Sequence, residues 1–282
     1  MTLVTTAALV AESHALRRGV GAFNVLHLET AEGLAAGAEA SGRPLILQIS
    51  ENCVRFHGSL RPITAATTAV AEASGARLSL HLDHAESEDL VREAIDLGFS
   101  SVMFDASKLD FAGNLAHTAA MAALVHDHGL FIEAELGEVG GKDGVHAPGA
   151  RTDPQQARAF VAATGVDALA VAVGTSHAMT TRDAALDFEL LARLRETAGV
   201  PLVLHGSSGV ADPDLQRAIT AGITKVNIST QLNTSFTGAV RHHLGEYPAT
   251  VDSRRYLGAG RDSLADETAR LLTLLATPEG TP

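Results

Sequence analysis

The sequence has no tryptophan, two tyrosines and a single cysteine, Cys53, in 282 residues. One thiol excludes an internal disulfide and any cysteine-rich metal site. Aromatic residues make up 4% of a chain that is 46% apolar, so the core has to be built from Ala, Val, Leu and Ile. That apolar share excludes a disordered chain. Lysine is scarce as well, with only Lys108, Lys142 and Lys225, against thirteen histidines. The histidine excess points to metal chemistry. Acidic side chains number 33 and basic ones 21, leaving a formal charge of −12. Such a surface repels phosphate backbones and anionic lipid, so neither nucleic acid nor a membrane is an expected partner. No apolar run is long enough to span a bilayer. Near the start, Glu12 precedes Arg17 and Arg18, the wrong order for a secretory signal. The expected setting is the reduced cytoplasm.

Eight short β-branched or Leu-rich runs recur, at 21–25, 44–50, 77–83, 101–105, 130–136, 168–174, 201–206 and 224–229. Between them the apolar residues fall at helical spacing. Ser87 with Asp89, Asp153-Pro154 and Asp212-Pro213 open three of these helices; Gly75, Gly98, Gly129, Gly165, Gly199 and Gly222 close six. Strands alternating with helices imply parallel pairing through right-handed crossovers. Eight units at this length fit a closed α/β barrel, the (β/α)8 TIM barrel, better than an open sheet. No GxGxxG follows a strand, so a dinucleotide fold has no support. No linker divides the set, and one domain over 1–282 is expected, with an extra helix in the tail at 252–276.

Barrel enzymes collect their chemistry at the C-terminal ends of the strands. Those ends read Asn24, Ser50, Asp83-His84, Asp105, Glu135, His177 just past the sixth strand, His205 and Asn227. A strand buried on both faces gains no stability from an ionisable tip, yet all eight tips are polar. His84, His177 and His205 can converge above the mouth, and three neutral imidazoles with an open position describe a catalytic zinc site. Imidazole sites also accept cobalt or manganese. Asp105 and Glu135 would either orient those ligands or take part in a second metal position. Glu133 shares a face with Glu135 by period-two alternation, and Glu135 lies nearer the strand end. Asp83, directly before His84, suits a proton donor to a substrate oxygen. HGSSG (205–209) and NIST (227–230) offer backbone N–H groups, hydroxyls and a helix start after strands seven and eight, where barrels often bind phosphate. The residues thus point to a phosphorylated small molecule beside a zinc ion.

The segments HLDH (81–84), SVMFDAS (101–107), EAELGEVGG (133–141), GTSH (174–177), PLVLHGSSG (201–209) and KVNIST (225–230) resemble class II, metal-dependent ketose-bisphosphate aldolases, in the same order over about residues 3–270. The likeness is nearest to the fructose-1,6- and tagatose-1,6-bisphosphate enzymes. It implies zinc held by His84, His177 and His205, proton donation by Asp83, and an auxiliary divalent ion at Asp105 and Glu135. It also implies that Gly206, Ser207, Ser208, Asn227, Ile228, Ser229 and Thr230 bind the dihydroxyacetone-phosphate phosphate, near a monovalent cation. Ser50 would help hold the other half of the bisphosphate, and Asn24 would face the substrate. A homodimer or homotetramer is implied by the resemblance alone.

Two departures from the family stand out. Ala178 occupies the position after His177 where the family usually has glycine, whose backbone contributes to phosphate binding; alanine disfavours a positive φ. The loop after strand five reads GGKDG (140–144), with Lys142 where an acid or glutamine is expected. Asp143 and Glu138 are then the candidates for the carboxylate that moves the substrate proton. Both departures motivate a second reading, a family member acting on another sugar phosphate or a catalytically impaired sugar-phosphate binder; the retained Asp83 argues against a pure binder. A Schiff-base aldolase would need Lys225, the lysine on a strand, which lies deeper than the rim and leaves three histidines unexplained. A barrel amidohydrolase would need an HxH on strand one, which is missing. Cys53 reads as a small packed residue, His126 and His128 as a helix C-terminus, and His242 and His243 as surface or interface residues.

Overall fold

A computed structural model describes residues 3–137 and 151–276. Eight parallel strands close into a barrel in sequence order: β1 (Val20–Asn24), β2 (Leu45–Ser50), β3 (Leu78–Ala85), β4 (Ser101–Phe104), β5 (Phe131–Leu136), β6 (Ala168–Val171), β7 (Leu202–Leu204) and β8 (Ile223–Ile228). Ring closure is made by β8 against β1, with Ala22 beside Asn227. β6 and β7 are shorter than their apolar runs. The chain leaves the ladder after Val171 and Leu204, which puts His177 and His205 beyond the strands.

The crossover helices begin and end largely as their sequence signals require. Ser87 caps α5 (Glu88–Asp96), and Asp153 caps α7 (Pro154–Thr164) by accepting from the N–H groups of Gln155 and Gln156 at 2.9 Å. Asp212-Pro213 opens α9 (Asp212–Ala221), with Asp212 as its first residue. Its carboxylate pairs with Arg182, from the loop after β6, and with Arg270 at 2.6 Å, from the C-terminal helix α11 (Ser253–Ala276). Gly75 does not close α4 (Leu60–Ala73) through a left-handed turn. The chain is already extended at Ser74, and Glu39 accepts from the Ser74 hydroxyl and the Gly75 N–H at 2.7 and 2.8 Å.

The barrel interior changes character along its axis. At the N-terminal end Val20, Ala22, Ile46, Phe131, Ala168, Ala170 and Val203 pack on Leu9 and Val10 of α1 (Thr6–Ala15), which plugs that end. Thr6, fully buried, donates to Ser79 Oγ at 3.0 Å and accepts from Ser101 Oγ at 2.7 Å. Nearer the mouth the inward positions turn polar: Gln48, His81, Asp83, Glu133, Glu135, Lys225 and Asn227 are all buried. A core with that much desolvated charge holds only if each group is paired. The outward faces of the strands join the helices in the larger apolar core.

Candidate active site

His84, at the end of β3, donates from Nδ1 to Asp105 Oδ2 at 2.9 Å. His205, just past β7, donates from Nε2 to Glu133 Oε1 at 2.9 Å and presents Nδ1 to Glu135 Oε2 at 3.2 Å. On His84 the carboxylate fixes the ring and its tautomer and leaves Nε2 for a ligand, while His205 Nδ1 shares its side with Glu135, itself a possible ligand. His177 arrives from the loop after β6. The three rings stand edge to face, with centroids 4.6 Å (His84–His205), 5.0 Å (His84–His177) and 5.8 Å (His177–His205) apart. One donor atom from each of His84, Glu135, His177 and His205 lies within 4.8 Å of the others. Three imidazoles and a carboxylate on a preoriented frame suit zinc or a similar divalent ion, so the residues fit the metal that the resemblance implies. Asp105 is not in that group; Ser107 binds its other oxygen, Oδ1, through N–H at 3.1 Å and Oγ at 2.6 Å. Held by Ser107, it orients His84.

The approach of His205 to His177 rests on Gly206. Its φ is 65°, and a Cβ there would meet Ser176 O at 2.6 Å, so only glycine lets the two loops touch. His84 itself has φ 50°, a strained left-handed residue held by its contacts.

Beneath the imidazoles Lys225 is wholly buried, with Nζ 2.8 Å from Glu133 Oε2 and 2.8 Å from Asn227 Oδ1. Burial disfavours charge on Glu133, but Lys225 and His205 hold its carboxyl far below the usual range. Burial likewise opposes a proton on His205, and the hydrogen bonds to Glu133 and Glu135 overcome it, pushing the group up to about 9. His81, packed among these charges and bonded to Ser101 Oγ at 2.8 Å, is pushed down to about 3, first by burial and then by Lys225. Lys225→Met is expected to cost about 3–5 kcal/mol by leaving Glu133 without its cation, read as the urea unfolding midpoint.

Asp83 is almost fully buried and gathers three amide donors: Asn24 Nδ2 at 3.2 Å and Gln48 Nε2 at 3.4 Å on Oδ2, and Asn227 Nδ2 at 3.3 Å on Oδ1. Burial raises its pKa, and the nearby His84, His205 and Lys225 bring it below the ordinary value, which favours a carboxylate. Gln48 also donates to Asn24 Oδ1 at 2.8 Å. Period-two counting from Ser50 would have placed Gln48 on the inward face, where Glu133 and Lys225 were already expected, but it does not give their pairing with each other.

The mouth is a cavity of about 240 Å3 lined by Asn24, Ser50, Asp83, His84, His177 and Asn227, and closed on one side by Ala178, Gly206, Ser208, Ser229 and Thr230. That side ends at the N-terminus of α10 (Thr230–Glu246), where Gln231 N–H donates to Ser208 Oγ at 3.1 Å and the helix dipole attracts an anion. Ser207 and Ile228 turn away: the Ser207 hydroxyl donates to Leu204 O at 2.9 Å, and Ile228 is buried in the apolar core. Ala178 has φ 58°, so the left-handed turn forms in spite of its Cβ. Ala178→Gly is expected to stabilise the fold by about 0.5–1 kcal/mol, read as a higher thermal midpoint, because strain relief exceeds the entropy that glycine adds to the unfolded chain.

On the opposite side Ser50 caps α3 (Glu51–His57), accepting from the Cys53 N–H at 3.2 Å, and Glu51, Asn52, Arg55 and Glu86 complete the wall. Arg55, the one cation in the wall among the described residues, reaches Glu51 at 2.7 Å and Asn52 at 3.2 Å. Burial pushes the Cys53 thiol up to about 11, the state of a packed, unreactive group. His126 and His128 do close a helix, α6 (Phe111–Asp127), and His126 pairs with Asp167 at 3.0 Å. Glu138, Lys142 and Asp143 lie outside the described residues.

The chain resembles several solved structures over nearly its whole length. The YdjI aldolase from Escherichia coli K12 is 28% identical, with a TM-score of 0.87 over 99% of this chain and 100% of that one. A putative fructose-1,6-biphosphate aldolase from Coccidioides immitis is 26% identical, with a TM-score of 0.85 over 96% and 95%. A fructose-bisphosphate aldolase from Campylobacter jejuni, at 20% identity and a TM-score of 0.80 over 97% and 95%, shares the fold. No helix among the described residues is long and apolar enough to cross a membrane. The family model for class II fructose-bisphosphate aldolases matches residues 4–279, and with a histidine–glutamate cluster at the barrel mouth this chain belongs to that family and is an aldolase.

Proposed function

We propose that the enzyme is a zinc-dependent aldolase that reversibly cleaves a ketose 1,6-bisphosphate, fructose or tagatose, between C3 and C4. The observation that carries this reading is the convergence of three imidazoles and Asp83 beside an anion cradle in one cavity. His84, His177 and His205 would hold the ion, with Glu135 beside them and Asp105 orienting His84. Bound there, a divalent ion supplies a Lewis acid for the substrate carbonyl and for the negative charge that develops next to it.

The remaining chemistry belongs to the side chains. Asp83 takes the proton of the C4 hydroxyl as the C3–C4 bond breaks; C4 becomes the carbonyl of glyceraldehyde 3-phosphate, and the bonding pair stays with the dihydroxyacetone-phosphate half as its enediolate. A loop carboxylate, Asp143 or Glu138, returns a proton to C3. Gly206, Ser208, Asn227, Ser229, Thr230 and the Ala178 N–H hold the C1 phosphate, assisted by a monovalent cation, with Ser207 and Ile228 contributing backbone only. Asn24 orients Asp83 and Ser50 faces the aldehyde half. A cytoplasmic homodimer or homotetramer completes the reading.

Arg55 favours a second substrate reading. Its charge is already taken by Glu51, with Glu86 close by, so the far end of the cavity suits a phosphate less well than the α10 end. A coupled cleavage assay on fructose 1,6-bisphosphate, tagatose 1,6-bisphosphate and fructose 1-phosphate tests both. Turnover of a bisphosphate, with KM raised about tenfold by Arg55→Ala, is expected for the first reading. Turnover of the monophosphate alone, unaffected by that change, would replace it with the second.

A further inference from the structure

The end of the barrel opposite the mouth holds another cavity, of about 250 Å3. Its wall comes from the end of α1 and the chain after it (His14, Arg17 and Arg18), from Arg195 of α8 (Phe188–Ala198), and from the end of α9 and the start of β8, with Thr220 and Thr224. Three guanidinium groups and an imidazole line it, and among the described residues no carboxylate does, in a chain of formal charge −12. Glu12, the acid nearest Arg18 in sequence, is hydrogen-bonded by Arg77 at 2.6 Å and interacts with Arg18 only through space. Guanidinium groups stay charged at every physiological pH, so three lining one cavity give it a positive field that favours an anion.

The backbone supplies an independent observation. Arg17 follows the C-cap of α1 with φ 52°, a left-handed conformation that is strained for any residue with a Cβ. Four other helices, α2 (Leu28–Ser41), α3, α7 and α8, meet the same need with Gly42, Gly58, Gly165 and Gly199. An arginine kept where glycine relieves the strain points to a use for its side chain. Arg195 is seated as deliberately: it lies across Gly222, where a Cβ would meet its Cδ at 2.7 Å, and its Nη1 donates to Thr220 O at 3.4 Å. Beside it His14 Nδ1 and Thr224 Oγ1 are 3.1 Å apart, giving the wall a hydroxyl and a ring nitrogen as well as charge.

We infer that this cavity binds a small phosphorylated anion, at a site separate from the active-site mouth. Phosphate chemistry matches the wall, since planar guanidiniums pair with its oxygens bidentately and Thr224 can complete the shell. The volume admits a phosphate or a sugar phosphate rather than a polymer.

The test is calorimetric titration of the whole enzyme with inorganic phosphate, beside Arg17→Gly and Arg195→Gln. Glycine suits the backbone at 17, so the first variant keeps its fold, and its thermal midpoint verifies that. The wild type is expected to bind one phosphate per chain that the double variant loses, each single change weakening that site at least tenfold, with turnover unchanged. Displacement of that phosphate by glucose 6-phosphate would mark a sugar phosphate as the ligand; failure of displacement would mark the free ion. Identical phosphate stoichiometry and affinity in wild type and double variant would overturn the inference.

Discussion

Removal of divalent metal by a chelator is expected to slow cleavage at least 10³-fold, about 4 kcal/mol of barrier, with zinc restoring it. The frame suits a divalent ion. Asp105 fixes His84, Glu133 fixes His205, and Gly206 allows the loop bearing His177 to come within reach. Metal content by mass spectrometry should fall with activity and return with it, and His205→Ala should lose both together. Metal content also counts ions: Glu135 stands in the imidazole group while Asp105 is engaged by His84 and Ser107, so one tightly bound ion per chain is the expected value. Chelator-resistant turnover would remove the zinc mechanism and return attention to Lys225, whose nitrogen is buried against Glu133.

Asp83→Asn is expected to lower kcat by about 10²–10⁴ with bound metal and KM little changed. Three amide donors from Asn24, Gln48 and Asn227 converge on the Asp83 oxygens, an arrangement made for a carboxylate. An amide there cannot take the hydroxyl proton, and its NH2 would face donors rather than acceptors. Asp105→Asn is the informative contrast. It should weaken metal affinity about 10–100-fold through His84, and excess zinc should therefore rescue it. Rescue of Asp83→Asn by zinc would show that Asp83 acts through the metal and not on substrate.

The eight strands could be read from apolar runs because a parallel barrel buries both faces of each strand, and the mouth residues because polar tips on such strands have no structural motive. The glycine at 165 and the Asp153-Pro154 pair marked helix ends by local chemistry alone. Gly75 misled because it answers to a distant partner, Glu39, and the pairing of Asp212 with Arg182 and Arg270 was equally beyond local chemistry. Arg55 gave no signal either; its place at the mouth depends on α3 folding back beside Ser50.

By itself, then, the sequence determined the alternation, the closed topology and the set of polar side chains delivered to one end, all consequences of period and local turn chemistry. Which carboxylates orient His84 and His205, which glutamate joins the imidazoles and which supports them, and how Lys225 is neutralised were decided only by the tertiary structure. Those choices depend on distances between strands far apart in sequence. Burial sets their stakes, because a charge in the barrel interior must find its partner across the barrel or lose its charge.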